Sequence, residues 1–273
     1  MSAATGADGV TWTNEDEARA LLRARQGAGA RYDSPDAPRR DLAWARRGTA
    51  YFARVLASLT DDELYEPSLL PGWTRAHVIS HVGYNARALT RLVSWARTGV
   101  ETPMYRSAEQ RGREIERGST LPARALRFLF AHAEVHLNVE WRDVAEGQWE
   151  NQVVTIQGRT VPVRETAWMR TREVWVHAMD LDTDAASYRD VPPDLLDALL
   201  ADVLRAWDRR GEQVDLVLAL TDRTTPVTVG TAALAPTVTG TTADVVRWLT
   251  GRGARRLTAG GPGAPLPTIP RWF

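Results

Sequence analysis

Between Asp41 and Leu181 the sequence offers four long helical segments, and this run of helices is the feature that most constrains the fold. In "DLAWARRGTAYFARVLASL" the residues Leu42, Ala45, Thr49, Phe52 and Leu56 fall on one side at spacings of three and four. In "LPGWTRAHVISHVGYNARALTRLVSWARTG" the residues Val78, Val82, Leu89 and Val93 recur in the same way. Pro71 and Gly72 mark the entry of that segment and Gly99 follows its last turn. Gly83 lowers its helix propensity without ending it. The third helix is "LPARALRFLFAHAEVHLNVEWRDVA", with Pro122 suited to a first turn, and the fourth runs from about Val163 to Leu181. Amphipathic helices bury their stripes against one another, which makes the expected unit a four-helix bundle.

The intervening stretches read differently. "TDDE", Thr60 to Glu63, fits a capping box that opens a short helical turn. Residues 101–119 read as a polar connection. "WENQVVTIQGRTVPVRE" reads as a small extended excursion punctuated by Gly158 and Pro162. After about residue 185 the pattern changes. Pro192 and Pro193 open a helix, "QVDLVLAL" and "TPVTVG" have strand character, "TADVVRWLTGRG" is a short helix ending at glycines, and "ARRLTAG" suits a last strand. The closing "GGPGAPLPTIPRWF" reads as a tail laid over the surface. Residues 1–38 read as an extension or linker, with one short helix in "NEDEARALLRARQ". The expected class is therefore α+β, with an extension over 1–38, a helical bundle over 39–185 and a small mixed α/β domain over 190–273.

Composition narrows the function classes. The chain has 273 residues, 44% of them apolar, and 11 tryptophans, which suits a folded protein with a sizeable core. Its 34 basic and 34 acidic residues cancel, so no nucleic-acid footprint or polybasic membrane patch is expected. All the basic residues are arginine, which reads as a coding bias. No apolar run reaches membrane-span length and the first thirty residues lack a signal-peptide core, so the expected location is the cytoplasm. There is no cysteine, which removes disulfides, thiolate-ligated zinc and a thiol nucleophile borne by the protein.

Within "REVWVHAMD" two polar residues interrupt an apolar stretch. Glu173 and His177 stand four apart among Val174, Trp175, Val176 and Met179, so they share a helix face and can share one ligand. His77 and His81 form a second such pair, continued by Asn85, and His132 and His136 a third. Facing helices of a bundle assemble metal sites in this manner. Two imidazoles with one carboxylate suit zinc, and three protein ligands leave a fourth position open. A second reading pairs Glu173 with Arg170 or Arg172 and lets His177 donate to a backbone carbonyl. On spacing alone both readings stand.

"LPGWTRAHVISHVGYNARAL", "ETPMY", "QGRTVPVRETAWMRTREVWVHAMDL" and the late "GRG" together resemble the mycothiol-dependent maleylpyruvate isomerases. The likeness runs from about Asp41 to the closing "PRWF". It implies a DinB-like four-helix bundle joined to a small C-terminal domain of sterol-carrier type. By the same resemblance the zinc ligands fall on His81, Glu173 and His177, while Arg252 of "GRG" takes a catalytic part. Asn85, Tyr84 and Arg75 are candidates for holding mycothiol. The implied reaction converts maleylpyruvate to fumarylpyruvate by addition and elimination of a zinc-activated mycothiol thiolate. The implied partners are this small keto acid and mycothiol, with no nucleic acid and no membrane, and the chain is expected to be a monomer. A mycothiol S-transferase acting on electrophiles is an alternative, and a non-catalytic module binding zinc or a small molecule is another.

Overall fold

In the computed structural model, residues 32–260 and 264–272 are described. The expected short helix within "NEDEARALLRARQ" and most of the expected extension lie outside these residues.

The bundle is built from α1 (Arg39–Ala57), α2 (Arg75–Thr98), α4 (Ala123–Arg142) and α5 (Glu165–Asp180). Helix α1 packs along α5 and α2 along α4, with α2 also touching α5. The stripe expected on α1 is the buried one, with Leu42, Ala45, Phe52 and Leu56 all inside. Gly48 explains how closely α1 meets α5, because a Cβ there would stand 2.5 Å from both the Trp175 ring and Val174. Helix α2 runs through Gly83 and stops at Gly99, whose φ of +73° places it in the left-handed C-cap conformation that glycine adopts freely. Its start is held by a capping box between Thr74 and His77. The box expected at "TDDE" also forms, with the Thr60 amide donating to the Glu63 carboxylate at 2.7 Å before a 3-10 turn over Asp62–Tyr65.

The connection read as irregular contains a further helix, α3 (Ala108–Ser119). Ile115 is its one large buried apolar side chain, so no apolar stripe announces it. It is held by its Ser107 cap and by Gly118 lying against Ser80 and Tyr84 of α2. The extended excursion is an antiparallel pair, β1 (Gln152–Val154) and β2 (Thr160–Pro162).

Beyond the bundle, α6 (Pro193–Arg209) and α7 (Thr242–Leu249) accompany a four-stranded sheet. Its strands β3 (Leu216–Leu220), β4 (Val227–Val229), β5 (Thr237–Gly240) and β6 (Thr258–Ala259) lie in the order β4-β3-β5-β6, with β3 and β5 parallel. Strand β5 was not expected; it is four residues long and follows Pro236, too short for alternation to be read. The tail also departs from expectation. Trp272 is buried and its indole donates to Asp202 at 3.2 Å, so the chain end is anchored in the core. One cluster of buried side chains runs from Phe52 and Val55 of α1 through Trp175 of α5 to Leu199 of α6, Leu218 of β3 and Trp272.

Candidate metal centre

Helices α2 and α5 carry His81, Glu173 and His177 to one point. Three of their donor atoms lie within 4.8 Å of one another, forming a group able to hold a metal ion. Glu173 Oε2 sits 2.8 Å from His81 Nε2 and 3.3 Å from His177 Nε2. Yet that oxygen is buried without a hydrogen-bond partner, so neither ring N–H bond is aimed at it. The two imidazoles meet edge-on, 4.8 Å apart at 88°. Three donors thus stand side by side without satisfying one another, as donors around a common fourth centre would. A buried carboxylate oxygen left in this way is costly unless a cation completes it.

A second layer orients the group. His177 Nδ1 lies 2.8 Å from Asp180 Oδ2, and Asp180 is fully buried. Burial alone would raise the Asp180 pKa, but His177 and Arg252 outweigh it and hold the carboxyl below its usual value. An ionised carboxylate only accepts, so the proton of this contact belongs to His177 Nδ1 and the lone pair of the neutral ring to Nε2. Carboxylate–histidine pairs of this kind fix the tautomer of metal-binding imidazoles. Arg252 closes the layer from the other side of the molecule. Its Nε and Nη2 donate to the two oxygens of Asp180 at 2.9 and 2.6 Å, and its Nη1 to the Thr250 carbonyl. The GRG turn, with φ of +80° at Gly251 and +84° at Gly253, puts the guanidinium there directly after α7.

The group is electrostatically coupled. Burial would raise the Glu173 pKa, but the two imidazoles pull it well below the usual value. Burial likewise opposes charge on His177, but the carboxylates of Asp180 and Glu173 raise its pKa to about 9. For His81 burial wins over Glu173 and its pKa is lowered. The anion is Glu173, and the cationic charge it draws is held by His177.

The remaining candidates separate cleanly. His77 is spent on the α2 cap, its Nδ1 facing the Thr74 amide and hydroxyl at 3.2 and 2.8 Å. His132 and His136 lie exposed on α4. Arg170 turns to the Val82 carbonyl and the Asn85 side chain, and Arg172 pairs with Asp202, which removes the simple ion-pair reading of Glu173. Asn85 is buried and lines a cavity beside the group. Tyr84 packs on Gly118, outside the walls of the cavities around the group. Arg75 spends its guanidinium on the carbonyls of Leu181, Glu63 and Asp182 and on Glu66. Neither side chain lines the two cavities around the group.

Two cavities meet at the group. One, of about 860 Å³, runs past Trp73, Val176, Trp248 and Leu249 to Arg252. The other, of about 540 Å³, runs past Asn85, Tyr105, Arg159 and Arg209. Both walls include His81, Glu173 and Arg111. A further groove of about 720 Å³ between Arg210 and Ile269 contains none of the three donors. Arg111 and Asp180 were not among the residues expected from sequence to act at the site. The signal for the first was present: "SAEQ", Ser107–Gln110, is a capping box one turn before Arg111. Asp180 follows His177 by three residues on the same face, but its partner Arg252 is 72 residues away.

Comparison with known proteins shows the family. The family described as "Mycothiol maleylpyruvate isomerase N-terminal domain" matches residues 45–182. The crystal structure of a mycothiol-dependent maleylpyruvate isomerase is similar to 88% of this chain and 100% of its own, at 42% identity and a TM-score of 0.80. The crystal structure of a histidine-to-alanine variant of such an isomerase is similar to the same extent. No curated protein matches in sequence.

Proposed function

The chain belongs to the mycothiol maleylpyruvate isomerase family, and from that premise we propose that it converts maleylpyruvate to fumarylpyruvate with mycothiol and a zinc ion held by His81, Glu173 and His177. The observation that carries this reading is the buried Glu173 oxygen, flanked by two imidazole nitrogens and lacking a hydrogen bond, at the junction of two cavities. The donor set suits zinc and leaves a coordination position open. Rotation about a carbon–carbon double bond requires an interrupted π-bond, and zinc held by His81, Glu173 and His177 together with mycothiol would supply a thiolate able to add to a carbonyl-conjugated alkene and leave again.

The residues of the chain orient and enclose. Asp180 holds a proton of His177 on Nδ1, so that Nε2 would present its lone pair to a bound metal. Arg252 holds both oxygens of Asp180, and its contribution runs through that carboxylate as well as through the cavity it borders. Trp73 stands 5.7 Å from the His81 ring and, with Trp248 and Leu249, forms an apolar wall that limits water around the reacting atoms. The absence of cysteine fits a nucleophile brought from outside. The reading also makes the protein a cytoplasmic monomer; among its described residues no helix is long and apolar enough to cross a membrane.

The test is an isomerisation assay with mycothiol, with glutathione and with no thiol. Turnover is expected only with mycothiol and is expected to vanish in His81→Ala. Unchanged activity in that variant, or full activity without thiol, would refute the reading. Stoichiometric consumption of thiol would assign the protein to thiol transfer instead.

A further inference from the structure

The two cavities that meet at Glu173 share Arg111 and Arg172 and differ in the rest of their walls. The smaller one, of about 540 Å³, has five arginines in its wall and a single carboxylate, Glu173 itself. Two of the five are occupied: Arg172 pairs with Asp202, and Arg210 donates to the Trp272 and Arg271 carbonyls. Arg159, on the turn between β1 and β2, and Arg209, at the end of α6, have no side-chain partner among the described residues. Arg111 of α3 has one side-chain contact, 3.4 Å from its Nη2 to His81 Nδ1. At 3.4 Å that contact is longer than an ordinary hydrogen bond and does little to satisfy the guanidinium. Three cations from three separate elements therefore face one cavity whose single wall carboxylate, Glu173, belongs to the metal group.

The larger cavity has a different wall. Trp73, Val176, Trp248 and Leu249 line it, and Arg252, which borders it, is committed to Asp180. Besides the shared Arg111, its cation without a side-chain partner among the described residues is Arg271.

We propose that the arginine-walled cavity is the seat of the substrate carboxylates, held by Arg111, Arg159 and Arg209, and that it selects dicarboxylates over uncharged alkenes. This rests on the isomerase reading for the identity of the substrate, but not for the chemistry of the cavity. A guanidinium matches a carboxylate with two parallel donors, and cations lacking internal partners need little rearrangement to bind one. A carboxylate held there is next to the His81–Glu173–His177 group, because Arg111 and Glu173 stand in both walls. The size of the cavity suits a small diacid, and the larger cavity is left for the bulkier thiol.

The experiment titrates succinate, a saturated dicarboxylate that cannot accept a thiol, into the zinc-loaded protein by calorimetry. Arg159 and Arg209 are exposed and unpartnered, so the double variant Arg159→Ala/Arg209→Ala is expected to fold normally. It is expected to bind succinate about tenfold more weakly or worse, the order of loss for charge-assisted hydrogen bonds. Arg271→Ala, which removes the unpaired cation of the other cavity, is expected to stay within about twofold of the parent, a surface-level effect. Arg111→Ala is expected to lose succinate affinity while retaining its metal stoichiometry. In the isomerase assay the double variant is expected to raise KM for maleylpyruvate and leave KM for mycothiol unchanged. No succinate binding by the parent, equal binding by parent and double variant, or a larger effect of Arg271→Ala would overturn the proposal. Arginine-dependent succinate binding in a protein that does not isomerise maleylpyruvate would refute the isomerase reading and leave the cavity assignment standing.

Discussion

Asp180 shows how one residue can serve two parts of a site. It is fully buried, accepts from the metal-candidate ring of His177 and takes both free nitrogens of the Arg252 edge. Asp180→Asn keeps the shape but presents a single acceptor oxygen to three donors and leaves the arginine without its counter-charge. Losses of second-layer carboxylates typically cost about 10–100-fold in metal affinity or activity, and a loss of that order is expected here. Competition with a chromogenic chelator would measure it, and an unchanged zinc affinity would argue that Asp180 serves Arg252 alone. His81→Ala removes a donor itself and is expected to reduce zinc content well below one equivalent, read by elemental analysis. Removing the metal from the parent with a chelator is expected to lower Tm, because a ligand bound to the native state stabilises it by mass action. Restoration by added zinc would complete that test.

At the scale of elements, a close backbone-to-ring approach seats the helix that carries two of the three donors. Gly48 lets α1 close on α5 beneath Trp175, whose indole donates to the Trp44 carbonyl at 2.9 Å. Gly48→Ala would raise helix propensity by about 1 kcal/mol. It would also force a Cβ into a buried ring, a clash that costs about 1–3 kcal/mol. Steric cost is expected to win, and denaturant unfolding should show net destabilisation. Helix α3 is held differently, with Ser107 accepting from the Gln110 amide at 3.2 Å. Ser107→Ala is expected to cost about 1 kcal/mol through loss of the cap. Because Arg111 is in the first turn of α3, the same variant should weaken dicarboxylate binding more than thiol binding.

Across the whole molecule, the bundle and the C-terminal sheet are joined by one apolar cluster and by the Asp180–Arg252 pair. A shared core of this kind couples the stability of both parts. A single cooperative transition is expected in calorimetry, with equal calorimetric and van't Hoff enthalpies. Two resolved transitions would show that the parts unfold separately. The tail belongs to this cluster through Trp272 and through the Arg210 contacts to its last carbonyls. Trp272→Ala is expected to destabilise the chain by about 3–5 kcal/mol, as for other buried aromatic truncations.

The sequence by itself determined the helices and half of the candidate site. Periodicity marks four bundle helices because each must bury one stripe, and the i, i+4 spacing places Glu173 and His177 on one face whatever surrounds them. Helix α3 was hidden because it buries little apolar surface, and β5 because four residues hold no legible alternation. His77 and His81 cannot be told apart by spacing; resemblance singled out His81, and the fold commits His77 to the cap of α2. Tyr84 and Arg75 lie on α2 with His81, where helix packing and loop carbonyls engage their side chains. Only the tertiary structure joined Asp180 to Arg252 and turned Arg111, Arg159 and Arg209 toward one cavity. The physical reason is separation along the chain: local spacing governs which side chains share an element, whereas packing of distant elements decides which charges face each other and which are left without a partner.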